Sequence, residues 1–287
     1  IGVEHEKFIL NKDTLLPVSY YEKNGVKDIL ERLASMGWTP ISEDEQQTII
    51  ALKKGKEAIT LEPGGQIELS GAPLENIHET CEETTNHLQD LKKLGNELNF
   101  ILLGMGVEPR LGLDDFPWMP KQRYEIMNKY MKKVGKLGHH MMKRTCTNQV
   151  NIDYASEQDM IDKFRIMLNL ESIATSMFAN SPFDQGKISK YKSLRSYFWH
   201  HTDPNRTGLL PFVFEKNFNF EKYTNYALNV PMYFIKRNHK YIDMTKYTFK
   251  DYLEGNQIDI KYEVTLKDWE DHLTTLFPQA RLKHYWK

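Results

Sequence analysis

An α+β fold is the class this sequence predicts, and three observations point to it. Short segments alternate apolar and polar residues with the period of a strand: Gly2-Val3-Glu4-His5-Glu6, Gln66-Ile67-Glu68-Leu69-Ser70 and Gln149-Val150-Asn151-Ile152-Asp153. Other stretches repeat apolar residues at helical spacing, the longest over 73–97. Both kinds of segment follow one another without internal repeats, low-complexity tracts or an evident linker, which favours one compact domain.

Element by element, the first strand carries Glu4 and Glu6 on one face, with Val3 on the other. Val26, Ile29, Leu30, Leu33 and Met36 predict a helix within 20–36, stopped by Gly37. Residues 46–69 read as strands, with a hairpin at Lys54-Gly55-Lys56 and a break at Pro63-Gly64-Gly65 that Glu62 and Glu68 flank. A long helix over 73–97, with Pro73 near its start, is expected to bury Leu74, Ile77, Cys81, Leu88, Leu91 and Leu94. Phe100-Ile101-Leu102-Leu103-Gly104 has the signature of a buried strand, and a Pro/Gly-rich loop then leads to a helix through Tyr124 and Met131. Met141 to Tyr154 is expected to be a strand, and Ser156 with Asp159 predicts the cap of an apolar helix ending near Asn180-Ser181-Pro182. Residues 184–211 read as a polar lid or binding loop around Arg195 and Arg206, Met232 to Asp243 as a hairpin turning at Asn238, and two short helices should follow.

Composition excludes several classes. Lys plus Arg (38) nearly balances Asp plus Glu (39), so no bulk field favours nucleic acid or an anionic membrane surface. No apolar run approaches the roughly 20 residues of a spanning helix, and no signal peptide is evident, so a cytoplasmic protein without membrane or nucleic-acid partners is expected. Cys81 and Cys146 are too few for a disulfide framework and read as structural thiols.

The chemistry lies in the acidic strands. Glu4 with Glu6, Gln66 with Glu68, and Gln149 with Asn151 share faces, so the sheet has one acidic side. Clustered carboxylates resist desolvation and need either water or cations, and oxygen ligands favour magnesium or manganese over zinc. Lys121, Arg123, Arg144 and Arg195 are candidate clamps for phosphate oxygens. Gly64 and Gly65 would let backbone approach a ligand, although they form neither a P-loop nor a dinucleotide fingerprint. His139-His140 and His200-His201 are poor chelators if they lie on strands, since neighbours there face opposite ways. Without a nucleophile elbow, a serine or cysteine hydrolase has little support, and a glycosidase built on paired carboxylates is a distant alternative.

Longer strings carry a resemblance. IGVEHEKF from residue 1, LEPGGQIELSGAPLE from 61, MPKQRYEIM from 119, RTCTNQVNID from 144, FANSPF from 178, SLRS from 193, RTGLLPFVF from 206 and YALNVPMYF from 226 together resemble the plant and alphaproteobacterial type of glutamate–cysteine ligase. The resemblance covers nearly the whole chain. It implies a glutamine-synthetase-like fold, in which a curved antiparallel sheet lines the active site with helices packed behind it. It further implies that ATP phosphorylates the γ-carboxylate of glutamate and that the amine of cysteine attacks the acyl phosphate, giving γ-glutamylcysteine, the first step toward glutathione. Cofactors would be ATP and Mg²⁺, and the partners small molecules only, with oligomeric state left open.

By motif match, Glu4, Glu6, Glu62, Glu68 and Gln149 are the expected metal-site positions. Arg195 would hold the α-carboxylate of glutamate, and Arg195 and Glu68 carry the catalytic expectation. Lys121, Arg123 and Arg144 would contact nucleotide, and Tyr226 and Tyr233 the cysteine pocket. Unlike the family, which continues into a Glu-x-Arg segment and further helices, this chain ends at Trp286-Lys287, and it begins with Ile1. Residues 1–287 are therefore expected to be a single catalytic domain truncated at both ends. A γ-glutamyl ligase acting on another small amine, and a non-catalytic nucleotide-binding fragment, are the alternatives.

Overall fold

A computed structural model describes residues 1–43, 47–255, 259 and 262–283. Gln46 and the segment 284–287, both used in the sequence reading, lie outside the described residues. The elements begin with β1 (Gly2–Asn11), α1 (Val26–Ser35), β2 (Thr39–Ser42), β3 (Ile49–Lys54), β4 (Glu57–Leu61), β5 (Ile67–Ser70), α2 (Ile77–Leu98) and β6 (Phe100–Leu103). There follow α3 (Gln122–Met131), α4 (Gly138–Arg144), β7 (Asn148–Asn151), α5 (Glu157–Met177), β8 (Phe183–Asp184), β9 (Lys187–Ile188), α6 (Leu194–His200) and β10 (Thr207–Gly208). The remainder are α7 (Phe220–Asn229), β11 (Phe234–Arg237), β12 (Lys240–Asp243), α8 (Phe249–Glu254), α9 (Leu266–Leu273) and β13 (Phe277–Pro278). Helices and an antiparallel sheet thus give the α+β class that the periodicities predict.

The chain divides into two compact units. The first comprises Ile1–Tyr124, His139–Ile152 and Ala179–Tyr197 and holds the main sheet, in the order β2-β3-β4-β5-β1-β6 with β7 also paired to β1. Every pairing in it is antiparallel. Alternation gives the sheet its two sides. Leu52, Ile59, Leu61, Ile67 and Leu69 are almost wholly buried, as are Val26, Ile29, Leu30 and Leu33 on α1, which packs against β2 and β3. Each such leucine or isoleucine contributes about 1.5–3 kcal/mol by leaving water, which anchors the strands against their helices.

Several expectations change. Met141 to Arg144 is helical, and only the stretch from Asn148 forms a strand. Met141 and Met142 are successive residues of this helix and both are buried. His139 and His140 therefore lie on α4, and His200 on α6, so the strand argument about these pairs does not apply. On α2 the buried line is Thr80, His87, Leu91, Leu94 and Gly95, whereas Ile77 is 62% exposed and Cys81 is a free, exposed thiol. His87 sets that face by packing its ring edge against His5 of β1 at 5.5 Å. Helix α7 and strand β2 are additions to the expected elements: β2 is a four-residue, fully exposed strand, and α7 is a ten-residue helix that buries Tyr223 and Ala227. The hairpin at Asn238 forms, with Asn238 and His239 both at positive φ. Ser156 caps α5 through the Asp159 N–H, although the helix ends at Met177, short of Asn180.

The second unit comprises Glu125–Gly138, Asp153–Phe178 and Phe198–Lys287. Its core sets Met160, Ile161, Phe164 and Leu168 of α5 against Leu210, Val213, Phe218 and Tyr223. Arg206, placed in a binding loop by the sequence reading, is instead fully buried. Its guanidinium donates to Asp203 Oδ2 at 2.6 Å, to the Pro231 carbonyl at 2.7 Å and to the Thr275 carbonyl at 3.2 Å, and it stacks 3.9 Å from the Tyr233 ring. Removing one partner from a buried ion pair leaves a charge without compensation. Asp203→Ala should lower stability by about 3–5 kcal/mol in urea unfolding, while a loss below about 1 kcal/mol would show that Arg206 is not anchored by this pair.

Candidate active site

The acidic face is a set of rows across the sheet. Glu6 on β1 stands opposite Glu68 on β5, and Glu68 stands opposite Thr60 on β4. One residue pair further along, Glu4 faces Ser70 on one side and Gln149 of β7 on the other. Directly opposed side chains share a face at about 4.5–5.5 Å between Cβ atoms, so Glu4, Glu6 and Glu68 are neighbours by register. Glu62 joins them from the turn after β4, where its N–H donates to the Gln66 carbonyl and its carbonyl accepts from the Gly65 N–H. Further along the same face of β1, Phe8 and Leu10 pack with Phe116 and Cys146 and close the acidic patch with an apolar wall.

Neutral donors hold these carboxylates. The Thr60 hydroxyl donates to Glu68, the Thr147 N–H to Glu6 at 3.1 Å, and the Asn151 amide to Glu4 at 3.1 Å. Burial, followed by repulsion from Glu62 and Glu68, holds the Glu6 carboxyl well above the usual carboxylate range, against the pull of Arg195 and of the Thr147 N–H. Glu68 is pushed up to about 7, chiefly by burial, with Glu62 and Glu4 adding to it. These carboxylates are short of positive charge.

Two cations oppose them. Lys121 donates to the Leu61 carbonyl at 2.7 Å, as Tyr124 does at 2.6 Å, which fixes the ammonium beside Glu62 and Glu68. Burial and the neighbouring Arg123 bring Lys121 down to about 7, although Glu62, Glu68 and Glu43 oppose the shift. Arg123 lies over the Tyr124 ring at 5.3 Å. Arg195, on α6, interacts electrostatically with Glu6 and Cys146.

The remaining expected residues have partners of their own. Arg144 is fully buried, donates to Asp184 Oδ1 at 2.7 Å and sits 2.9 Å from His140 Nδ1. Gln149 donates to Asn151 Oδ1 at 3.0 Å, one step behind the Asn151–Glu4 contact. Gln66 does not line the acidic face: it is buried, accepts from the Gly64 N–H and donates to the Met142 and Thr145 carbonyls. Gly64 has a packing reason of its own, because a Cβ there would lie 2.5 Å from the Lys143 carbonyl oxygen. Tyr226 and Tyr233 belong to the second unit, Tyr226 donating to the Asn205 carbonyl at 3.4 Å and Tyr233 buried against Arg206. Thr60, Thr147 and Tyr124 join the site without a site role expected for them from the sequence. Thr60 shares strand parity with Glu62, which was the one available signal, since its pairing with Glu68 depends on register.

The donor set suits a hard cation. Among the described residues no three His, Cys, Asp or Glu side chains are gathered closely enough to hold an ion unaided. Mg²⁺ does not require that, since it keeps several waters and binds through one or two carboxylates plus substrate phosphates. The opposed Glu6 and Glu68, with Glu62 beside them, meet that need, and Arg195 and Lys121 offset only part of their charge. No helix among the described residues is long and apolar enough to cross a membrane.

An antiparallel sheet with an acidic face and adjoining cations defines a class of site able to gather a divalent cation and anionic substrates. Comparison with known proteins is more specific. The model of glutamate-cysteine ligase family 2 matches residues 1–286, and the chain belongs to that family. It is 55% identical over 287 residues to the chloroplastic glutamate–cysteine ligase B of Oryza sativa subsp. japonica, covering 99% of this chain and 57% of that one. It is 52% identical to the chloroplastic enzyme of Solanum lycopersicum and 50% to that of Arabidopsis thaliana, in each case across 99% of this chain and 54% of the relative. The chain thus spans a little over half the length of these relatives. Their chloroplastic designations overturn the expectation of a cytoplasmic protein.

A carboxyl whose pKa rises on folding favours the native state while it is protonated. That contribution is complete below the unfolded value near 4.5 and is lost as pH rises through about 7. Without divalent cations, the melting temperature should therefore fall across this interval more steeply for the native sequence than for Glu68→Gln. Parallel profiles would show that Glu68 does not carry the strain.

Proposed function

We propose that this protein is an ATP-dependent ligase that joins the γ-carboxylate of glutamate to the amine of cysteine, giving γ-glutamylcysteine. The observation that carries the reading is the acidic face itself, Glu6 opposite Glu68 with Glu62 and Glu4 beside them, bordered by Arg195 and Lys121. The names of the relatives support the substrates. Glutamate and cysteine are common metabolites, and only activation by ATP makes the amide bond accessible in water. The γ-carboxylate displaces ADP from the terminal phosphorus, and the cysteine nitrogen then attacks the acyl carbon and expels phosphate.

In this reading Arg195 grips the α-carboxylate of glutamate, a task suited to a planar guanidinium that can donate two parallel hydrogen bonds. Its attraction to Glu6 keeps it aimed at the acidic face. Lys121 and Arg123 receive phosphate oxygens, and anionic substrate restores the charge that burial takes from Lys121. Glu4, Glu6, Glu62 and Glu68, with Gln149 behind Glu4, would hold Mg²⁺, which when bound neutralises the triphosphate during transfer. Arg144, tied to Asp184, braces the end of α4, whose Lys143 carbonyl lies against the Gly64 turn, rather than meeting nucleotide. Residues 1–287 form part of the catalytic domain, and the plastid is the compartment that the relatives' designations favour.

The decisive test is ADP release from ATP and Mg²⁺ with glutamate, with and without cysteine, coupled to mass detection of the product. Release that depends on cysteine and falls about 100-fold or more in Glu68→Gln is expected. ADP release indifferent to cysteine would refute the ligase reading, and a product that forms only with another amine would reassign the acceptor.

A further inference from the structure

Glu4, Glu6 and Glu68 on the acidic face of the sheet each accept from a neutral donor, and the donor to Glu68 is a side-chain hydroxyl. Thr60 lies on β4 directly opposite Glu68 on β5 and donates its hydroxyl to Glu68 Oε2. A hydroxyl suits that place. A lysine there would form an ion pair with Glu68 and cancel the charge that the face offers to a cation, whereas an alanine would leave the carboxylate free to rotate away from its row. Thr60 fixes one oxygen of Glu68 and leaves the carboxylate its negative charge.

The row explains why orientation matters. Glu68 is placed between Glu6 and Thr60 in the row, and the Thr60 hydroxyl meets its carboxylate from the β4 side. The other donors differ in kind. Glu6 is held by the backbone N–H of Thr147, which only proline would remove and then with a change of backbone, and Glu4 by Asn151, whose amide is itself engaged by Gln149. Thr60 is the donor whose hydroxyl can be deleted at constant shape.

We propose that Thr60 is a positioning residue for a divalent cation bound through Glu68, acting by hydrogen bonding and not by packing. This inference rests on the reading of the acidic face as a cation site. Hydrogen-bonded partners behind metal ligands typically change affinity by about 10–100-fold when removed. Two substitutions separate the hydroxyl from the methyl group. Thr60→Val keeps the branched shape and strand preference without the hydroxyl, and Thr60→Ser keeps the hydroxyl without the methyl.

The experiment is titration of the purified protein with Mn²⁺ alone, followed by calorimetry and by the electron spin resonance of free Mn²⁺, with native sequence, Thr60→Val, Thr60→Ser and Glu68→Gln in parallel. Expected are measurable binding by the native sequence, loss in Glu68→Gln, weakening of about tenfold or more in Thr60→Val, and recovery to within about threefold in Thr60→Ser. The opposite order, with Val retaining affinity and Ser losing it, would assign Thr60 a packing role and overturn the inference while leaving the cation site intact. Native protein that binds no Mn²⁺, or Glu68→Gln that binds as well as native, would remove the cation site and the inference with it. Should Thr60→Val fail to fold, Thr60→Ala takes its place, and Ala affinity equal to that of Ser would count against the hydroxyl.

Discussion

Repulsion among partly dehydrated carboxylates is the constraint on which the first unit depends. Glu6 and Glu68 face one another across the β1–β5 pair, and burial has removed much of the water that would otherwise separate their charges. Like charges directly opposed on a sheet are destabilising, so a strand pair held only by its own ladder would be weakened here. The opposite face compensates. Leu52, Ile59, Leu61, Ile67 and Leu69 are sealed from water, and β5 and β1 are fixed by hydrophobic burial in a register that their polar faces alone would oppose. The sheet is stabilised on one side so that it can carry strain on the other.

The buried cations divide according to where their counter-charge comes from. Arg206 has Asp203 in contact and Arg144 has Asp184, and each also donates to main-chain carbonyls, so both are balanced without any ligand. Lys121 is different: its hydrogen bond goes to a neutral carbonyl, that of Leu61, and its charge is opposed by Arg123 and supported at longer range by Glu62, Glu68 and Glu43. A lysine so placed is attracted to any anion that arrives. The sequence cannot make this distinction, because Lys121 and Arg144 stand in equally basic local strings and their partners are 60 and 40 residues distant in the chain.

Strand parity was readable because it is local: Glu4 with Glu6, and the separation of Glu68 from Ile67 and Leu69, follow from alternation alone. Register was not readable, so the Glu6–Glu68–Thr60 row and the Gln149–Asn151–Glu4 relay could not be foreseen. Gln66 shows how parity fails at an element's edge. It precedes β5, and the demand of the Met142 and Thr145 carbonyls for a donor turns its amide into the interior. The same neighbourhood explains Gly64: the turn must pass close to Lys143 of α4, a helix where the alternation predicts a strand. One misread element therefore hid both the function of Gln66 and the reason for Gly64.

The acidic face also has a consequence for protons. Burial raises Glu68 to about 7 and lowers Lys121 to about the same value, so near neutrality the carboxylate tends to hold a proton and the amine to release one. Both shifts reduce charge in the same dehydrated space. Adding a cation beside Glu68 favours its ionised form, and adding an anion beside Lys121 favours its protonated form. Arrival of the two together therefore costs fewer net protons than arrival of either alone, because the proton lost by the carboxylate matches the one gained by the amine. Under the proposed function, joint binding of cation and anionic substrate therefore depends less on pH than binding of either alone, and the coupling follows from burial acting on two oppositely charged groups beside one turn.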